Sequence, residues 1–168
     1  MVRQRFNRLI ISFAVSTLML FASCGGGGGG GSAPTQPTTA TLKLITSGTG
    51  TTIYGIDVTV DLPAGVTVKS ANPPETDSGV VTVSGAALSG SLATAVYTPA
   101  SGTTPGKVHI LIANAAGFAT GEFATLNADI AAGSTPKAAD FSLVDFSAID
   151  ADGHPITVLT FGFTADIR

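Results

Sequence analysis

The stretch IYGIDVTVDLP, residues 53–63, puts Ile56, Val58, Val60 and Leu62 on one parity and Asp57, Thr59 and Asp61 on the other. Side chains of an extended chain alternate between two faces, so this is a strand with an apolar side and a polar side. Pro63 has no N–H for a ladder and closes the strand. Working outward, period-two segments recur as TLKLIT from Thr41, GVTVKS from Gly65, VVTVS from Val80, SLATAVYT from Ser91, KVHILIA from Lys107, GEFATLNADIA from Gly121, DFSLVDFSAI from Asp140 and ITVLTFGFTADI from Ile156. Clusters of Gly, Pro, Asn and Asp separate them, and no window sustains a 3.6 period over three turns. The one helical hint is residues 134–139, a single turn with Pro136 at its first position. Eight to nine strands at this spacing predict an all-β domain over residues 41–168, an antiparallel β-sandwich of two packed sheets.

Composition agrees with one small exported domain. Of 168 residues, 44% are hydrophobic and only 11% charged, with 21 Gly, no Trp and one Cys. The charged share is less than half of the ~25% usual in soluble proteins, so the surface is mostly uncharged and rich in hydroxyls.

The N-terminus reads as an address. Arg3, Arg5 and Arg8 precede an apolar run of 13 residues, LIISFAVSTLMLF from Leu9 to Phe21. A membrane-spanning helix needs about 20 apolar residues and a secretory h-region only about 7 to 15, which favours a signal peptide over residues 1–23. Phe21-Ala22-Ser23-Cys24 resembles a bacterial lipobox, with Phe21 where that motif usually has Leu. The resemblance implies a lipid on Cys24 and a stable membrane anchor, and Gly25 in place of Asp implies sorting to the outer membrane. The alternative is an ordinary signal peptide cut ahead of a free thiol. Because Cys24 is the only cysteine, no disulfide can form within the chain.

After cleavage five basic residues remain against eleven acidic ones, a net charge of −6. Scattered lysines on an acidic chain offer no stripe to neutralise phosphates, which argues against nucleic acid, and none to hold anionic lipid headgroups. Seven consecutive glycines from Gly25 to Gly31 lack the strand, helix and Lys-Ser/Thr of a phosphate cradle. Residues 24–40 therefore read as a flexible tether spanning about 20 to 25 Å.

The stretch IYGIDVTVDLPAGVTV, then ATAVYT, then GKVHILIANAAGFATGEFATLNADI, then FSLVDFSAIDADGHPI, resembles the cohesin-type module of the carbohydrate-binding-module superfamily over nearly all of residues 41–168. The resemblance implies a nine-stranded jelly-roll sandwich and a partner docked on the flat outer face of one sheet, either a dockerin-like or other envelope protein or a polysaccharide. Carried over residue by residue, that face would hold Asp57, Thr59, Tyr97, His109 and Leu111. The family has two strands ahead of the one at Ile53 and this chain has only TLKLIT, so the last strand is expected to lose a neighbour and leave an open edge.

Alternation supports part of that assignment independently. With Val108, Ile110 and Ile112 turned inward, His109 and Leu111 point out. The plainer reading makes Leu111 a scattered apolar surface residue and Tyr97 a core filler.

Aromatic platforms for sugar stacking are few. Phe141, Phe146, Phe161 and Phe163 fall in strand patterns, Phe123 opens a strand, and Phe118 is expected in the loop ANAAGFATGE, where a sugar site is conceivable. Asp150, Asp152 and Gly153 form a DxDG turn without the remaining ligands of a calcium loop, so a hairpin turn is expected rather than a metal site. His109 and His154 lack zinc spacing, and no cofactor is implied. GxSxG and HExxH are absent. Asp57 and Asp61 stand about 13 Å apart along one strand, too far for a glycosidase pair. The expected protein is a non-catalytic binding module, with a carbohydrate binder and a self-associating structural protein as alternatives.

Overall fold

The computed structural model describes residues 36–168, so the signal peptide, Cys24 and the glycine run lie outside the described residues. The period-two segments form nine strands: β1 (Thr39–Ser47), β2 (Ile53–Leu62), β3 (Val66–Thr67), β4 (Val81–Val83), β5 (Ser91–Thr98), β6 (Gly106–Phe118), β7 (Gly121–Ile130), β8 (Ser142–Ile149) and β9 (Thr160–Ile167). All pair antiparallel, in two sheets. One runs β3-β7-β1-β9, with β4 also on β7; the other runs β5-β6-β2-β8. The chain is an all-β sandwich.

The apolar parity read from the sequence is the parity that goes inside. Leu42 and Leu44 of β1 and Phe123 and Leu126 of β7 are fully buried, as are Val58 and Val60 of β2 and Val108 and Ile110 of β6. Burying each such side chain contributes about 1.5–3 kcal/mol against the entropy of ordering the chain. The buried hydroxyl of Thr46 is matched, donating to the Gly121 carbonyl and accepting from the Gly121 N–H.

Several boundaries differ from the pattern, each for a local reason. GVTVKS shrinks to Val66–Thr67, because the Lys69 carbonyl accepts from the Asp77 N–H instead of from β7. The last strand begins at Thr160 and not at Ile156, whose N–H donates to the Ala148 carbonyl at the end of β8. The chain therefore crosses from one sheet to the other between Ile156 and Thr160. Ile156 is thereby a half-buried residue packed against the core. The helical turn lies at Ala138–Asp140, two residues beyond Pro136, where the Asp140 carboxylate accepts the Lys137 N–H at 2.8 Å. A second 3-10 turn occupies Gly85–Ala87.

β9 has the single neighbour and the open edge expected of it. It pairs with β1 along its whole length without a register break, and among the described residues its other edge is open.

Three irregularities reset the parity of their strands. In β8 the register with β2 shifts between Asp57 and Thr59, so Asp145 and Phe146 together oppose Val58. Asp145 takes φ 52°, a left-handed conformation that Asp tolerates better than most residues. In β7 Phe123 is the extra residue opposite the Leu44/Ile45 step, and it turns into the core beside Ala124. In β6 the register with β2 jumps from Ala113 opposite Gly55 to Phe118 opposite Ile53. The intervening bulge folds around buried Asn114, whose amide donates to the Ser89 carbonyl and the Ser91 hydroxyl, both at 2.8 Å, while its oxygen accepts the Ala116 N–H. Phe118 is therefore not a loop residue. It ends β6, buried in the core, and the sugar site conceived around it has no exposed ring to use. Among the described residues no helix is long and apolar enough to cross a membrane.

Candidate functional site

The outer face of the four-stranded sheet follows from its register. Directly opposed residues form four rows across β5, β6, β2 and β8: Leu92, Ala113, Gly55, Ile149; then Thr94, Leu111, Asp57, Ser147; then Val96, His109, Thr59, Val144; then Thr98, Lys107, Asp61, Ser142. Side chains opposed in one row share a face and touch. The face thus brings together Asp57, Thr59, His109 and Leu111 of the expected set.

Tyr97 is the exception: it does not belong to this face. It stands opposite Val108, on the inward parity, and is only 5% exposed. Burial pushes its phenol above the ordinary value of 10.0, which keeps it neutral. The plainer reading, a core filler, is the one the structure supports. Thr59, though on the outer face, is buried between His109 and Val144 of its own row.

The polar part of the face is internally paired. His109 Nε2–H donates to Asp57 Oδ1 at 2.6 Å, and Lys107 Nζ lies 3.0 Å from Asp61 Oδ1. Such half-exposed pairs contribute little stability, about 0–1 kcal/mol each, but they hold the carboxylates in place.

The apolar part is the first row and its neighbours. Of the large hydrophobic side chains that are exposed, Leu92, Val96, Leu111 and Ile149 all lie on this face, Leu92 at 78% and Leu111 at 40%. Between them is a shallow depression of about 550 Å³. Gly55 and Ala113 form its floor, and Tyr54, Leu92, Leu111 and Ile149 its rim.

Two of the irregularities build this hollow. The β8 bulge reverses parity, so that Phe141 and Leu143 point inward, then Phe146 and Ala148 do, and Ile149 comes out on the rim. The β6 bulge brings Gly117, at φ 72°, under the Tyr54 ring; a Cβ there would stand 3.0 Å from Tyr54 Cε2 and 2.4 Å from Thr52 Cγ2. Only glycine satisfies both the dihedral and the space, and the ring seats on it.

Tyr54, Gly55, Leu92 and Ile149 were missed by sequence reasoning. A signal for Leu92 existed: in SLATAVYT the larger aliphatics Leu92 and Val96 share one parity and Ala93 and Ala95 the other, and the structure pairs the alanines with inward Ile112 and Ile110. Tyr54 and Ile149 had no signal, because each depends on a bulge.

The DxDG turn is a backbone device. Asp150 Oδ1 accepts the N–H groups of Asp152 and His154, both at 2.9 Å, and Gly153 takes φ 80°. Asp150, Asp152 and His154 do place potential ligand atoms within 4.8 Å of one another, a closeness that the spacing alone did not suggest. These groups are largely solvent-exposed; Oδ1 of Asp150 serves the turn, and its Oδ2 lies 3.8 Å from His154 Nδ1. Elsewhere, the Ser84 hydroxyl, together with Lys43 at 3.2 Å, holds the Glu122 carboxyl below its ordinary range.

Comparison of the chain with protein-family models, with curated proteins and with solved structures gives no match.

Proposed function

We propose that this chain is a non-catalytic binding module of cohesin-like kind, lipid-anchored through Cys24 at the cell envelope and facing outward, that captures a protein partner on the outer face of the β5-β6-β2-β8 sheet. The observation that carries this reading is the concentration of exposed aliphatic side chains around the Gly55/Ala113 hollow, beside polar side chains that are paired with one another. A monomer scatters exposed leucines; a cluster rimmed by polar groups marks an interaction site. A hollow of this size takes one or two apolar side chains of a partner as anchors, the centre of an ordinary interface. A polysaccharide would need flat aromatic platforms, and Tyr54 is the only aromatic residue among those lining the hollow.

The test is capture from envelope extract on immobilised protein, followed by direct binding of the recovered partner in purified form. Leu111→Asp and Leu92→Asp are expected to abolish binding of the purified partner, while Val158→Lys, at an exposed position off the face, leaves it intact. Equal binding by all three variants would refute the face. The carbohydrate reading rests on Tyr54 alone: glycan-array binding lost in Tyr54→Ala and retained in Leu92→Asp would replace the protein partner with a sugar.

A further inference from the structure

Strand edges offer unpaired backbone groups, and folded proteins usually cover them. In this sandwich the edge of β5 is covered: the Tyr97 N–H donates to the Pro74 carbonyl, Glu75 bridges to Val96, and the Thr76 hydroxyl donates to the Ala95 carbonyl. The edge of β8 is broken by the Asp145 bulge and capped where Pro155 and Ile156 fold back on its end. β3 and β4 are two and three residues long. β9 is different. Its sequence TFGFTADI contains no Pro, no Lys and no bulge over eight residues.

Its free groups can be counted. Thr39 and Arg168 exchange both backbone hydrogen bonds, each at 2.9 Å, so the even-numbered residues of β9 face β1. Phe161, Phe163, Ala165 and Ile167 therefore turn their N–H and C=O groups to the open edge, where none finds a backbone partner among the described residues. The side chains of these same four residues are half-buried along the open rim of the core.

We propose that β9 is a dimerisation edge, pairing antiparallel with β9 of a second copy about a two-fold axis at Thr164. In this register Phe161 opposes the second copy's Ile167, and Phe163 opposes its Ala165. Every free N–H and C=O is then matched, as eight hydrogen bonds. The shift that centres the axis on Phe163 leaves Ile167 unmatched. On the inner face the aromatic rings meet aliphatic groups and the two cores join at their rims. On the outer face Thr164 meets its own counterpart and Asp166 meets Gly162, so no like charges stand opposed. A second copy fits this edge because the self-pairing is complete; the two five-stranded sheets become one continuous sheet.

Full-length chain carrying Cys24→Ser, in mild detergent, tests this. Sedimentation should show a concentration-dependent dimer. With Thr164→Cys as the sole thiol, mild oxidation should link two copies, because opposed non-hydrogen-bonded residues have Cα atoms about 4.5 Å apart, within disulfide reach. Thr160→Cys should not link, its counterpart lying roughly 26 Å away at ~3.3 Å per residue. Ala165→Pro removes an N–H that points away from β1 and should give a monomer that melts within a few degrees of the parent. Thr164→Lys, which sets two cations on the axis without touching the β1 ladder, should do the same if proline disturbs folding. A parent that stays monomeric on the order of 100 µM would overturn the proposal. So would linking at 160 as efficient as at 164, or a dimer that survives Thr164→Lys.

Discussion

Gly55→Val should separate the binding face from the fold. The backbone at Gly55 lies outside the left-handed region, so a side chain is admissible there, and a Cβ would stand 2.9 Å from Ile149 Cγ1 and 3.0 Å from its Cδ1. These are the outer atoms of an exposed side chain, which can swing aside at a rotamer cost of about 0.5–1.5 kcal/mol. Against this, a β-branched residue in a central strand is favoured over glycine by roughly 1 kcal/mol. The two effects nearly cancel, so Tm should move by less than about 6 °C. The hollow, in contrast, loses its floor to two methyl groups. Blocking a contact equivalent to one buried aliphatic side chain removes about 1.5–3 kcal/mol of binding, a loss of roughly tenfold or more in affinity. Nile red, a neutral apolar dye, serves as the probe: its fluorescence titration against native protein should weaken by that factor in Gly55→Val, and Leu92→Asp should reproduce the loss. A Tm lowered by more than about 10 °C would show that the glycine serves the architecture. Unchanged dye affinity at unchanged Tm would show that the hollow is not a binding surface.

Three further outcomes follow from side chains described above. Phe123→Ala empties the centre of the core and should cost about 3–5 kcal/mol in urea unfolding, while the conservative Phe123→Leu costs much less. Asn114→Ala leaves the Ala116 N–H, the Ser91 hydroxyl and the Ser89 carbonyl without their partner, and should destabilise by about 2 kcal/mol or more and loosen hydrogen-exchange protection in the β6 bulge. The Tyr97 phenol is raised in the folded state by burial, so above pH 10.0 the unfolded chain loses its proton first and stability should fall as pH rises; Tyr97→Phe should flatten that alkaline slope in pH-dependent melting curves.

The strands were legible wherever burial alone sets the pattern. β2 alternates because each inner residue must be apolar, and both its ends appear in the sequence, Ile53 and the residue before Pro63. β5 was bounded correctly, yet its facing was not. Tyr97 was carried outward by resemblance, while its parity follows from pairing with Val108, which only the β5-β6 register fixes. The bulges were illegible for a physical reason. One extra residue changes neither composition nor local propensity, but it inverts every later side chain in the strand. This is how Ile149, of the same parity as inward Leu143, ends up outside, and why Phe118 was expected in a loop. Of the candidate face, the polar spine of Asp57, Thr59 and His109 could be read from β2 and β6, whereas the hollow depends on two bulges and could not.

The two ends of the described chain lie side by side on the sandwich. Thr39 is bonded to Arg168, and the Gln36 amide donates to the Ala131 carbonyl beside them, while β1 then runs its nine residues to the opposite pole, near which β2 begins and Gly55 lies. A tag, dye or biosensor surface joined at Arg168 therefore sits a full strand away from the hollow, roughly 30 Å. The molecule can be held by its tail with the hollow presented, and an affinity measured that way is free of obstruction by the attachment point.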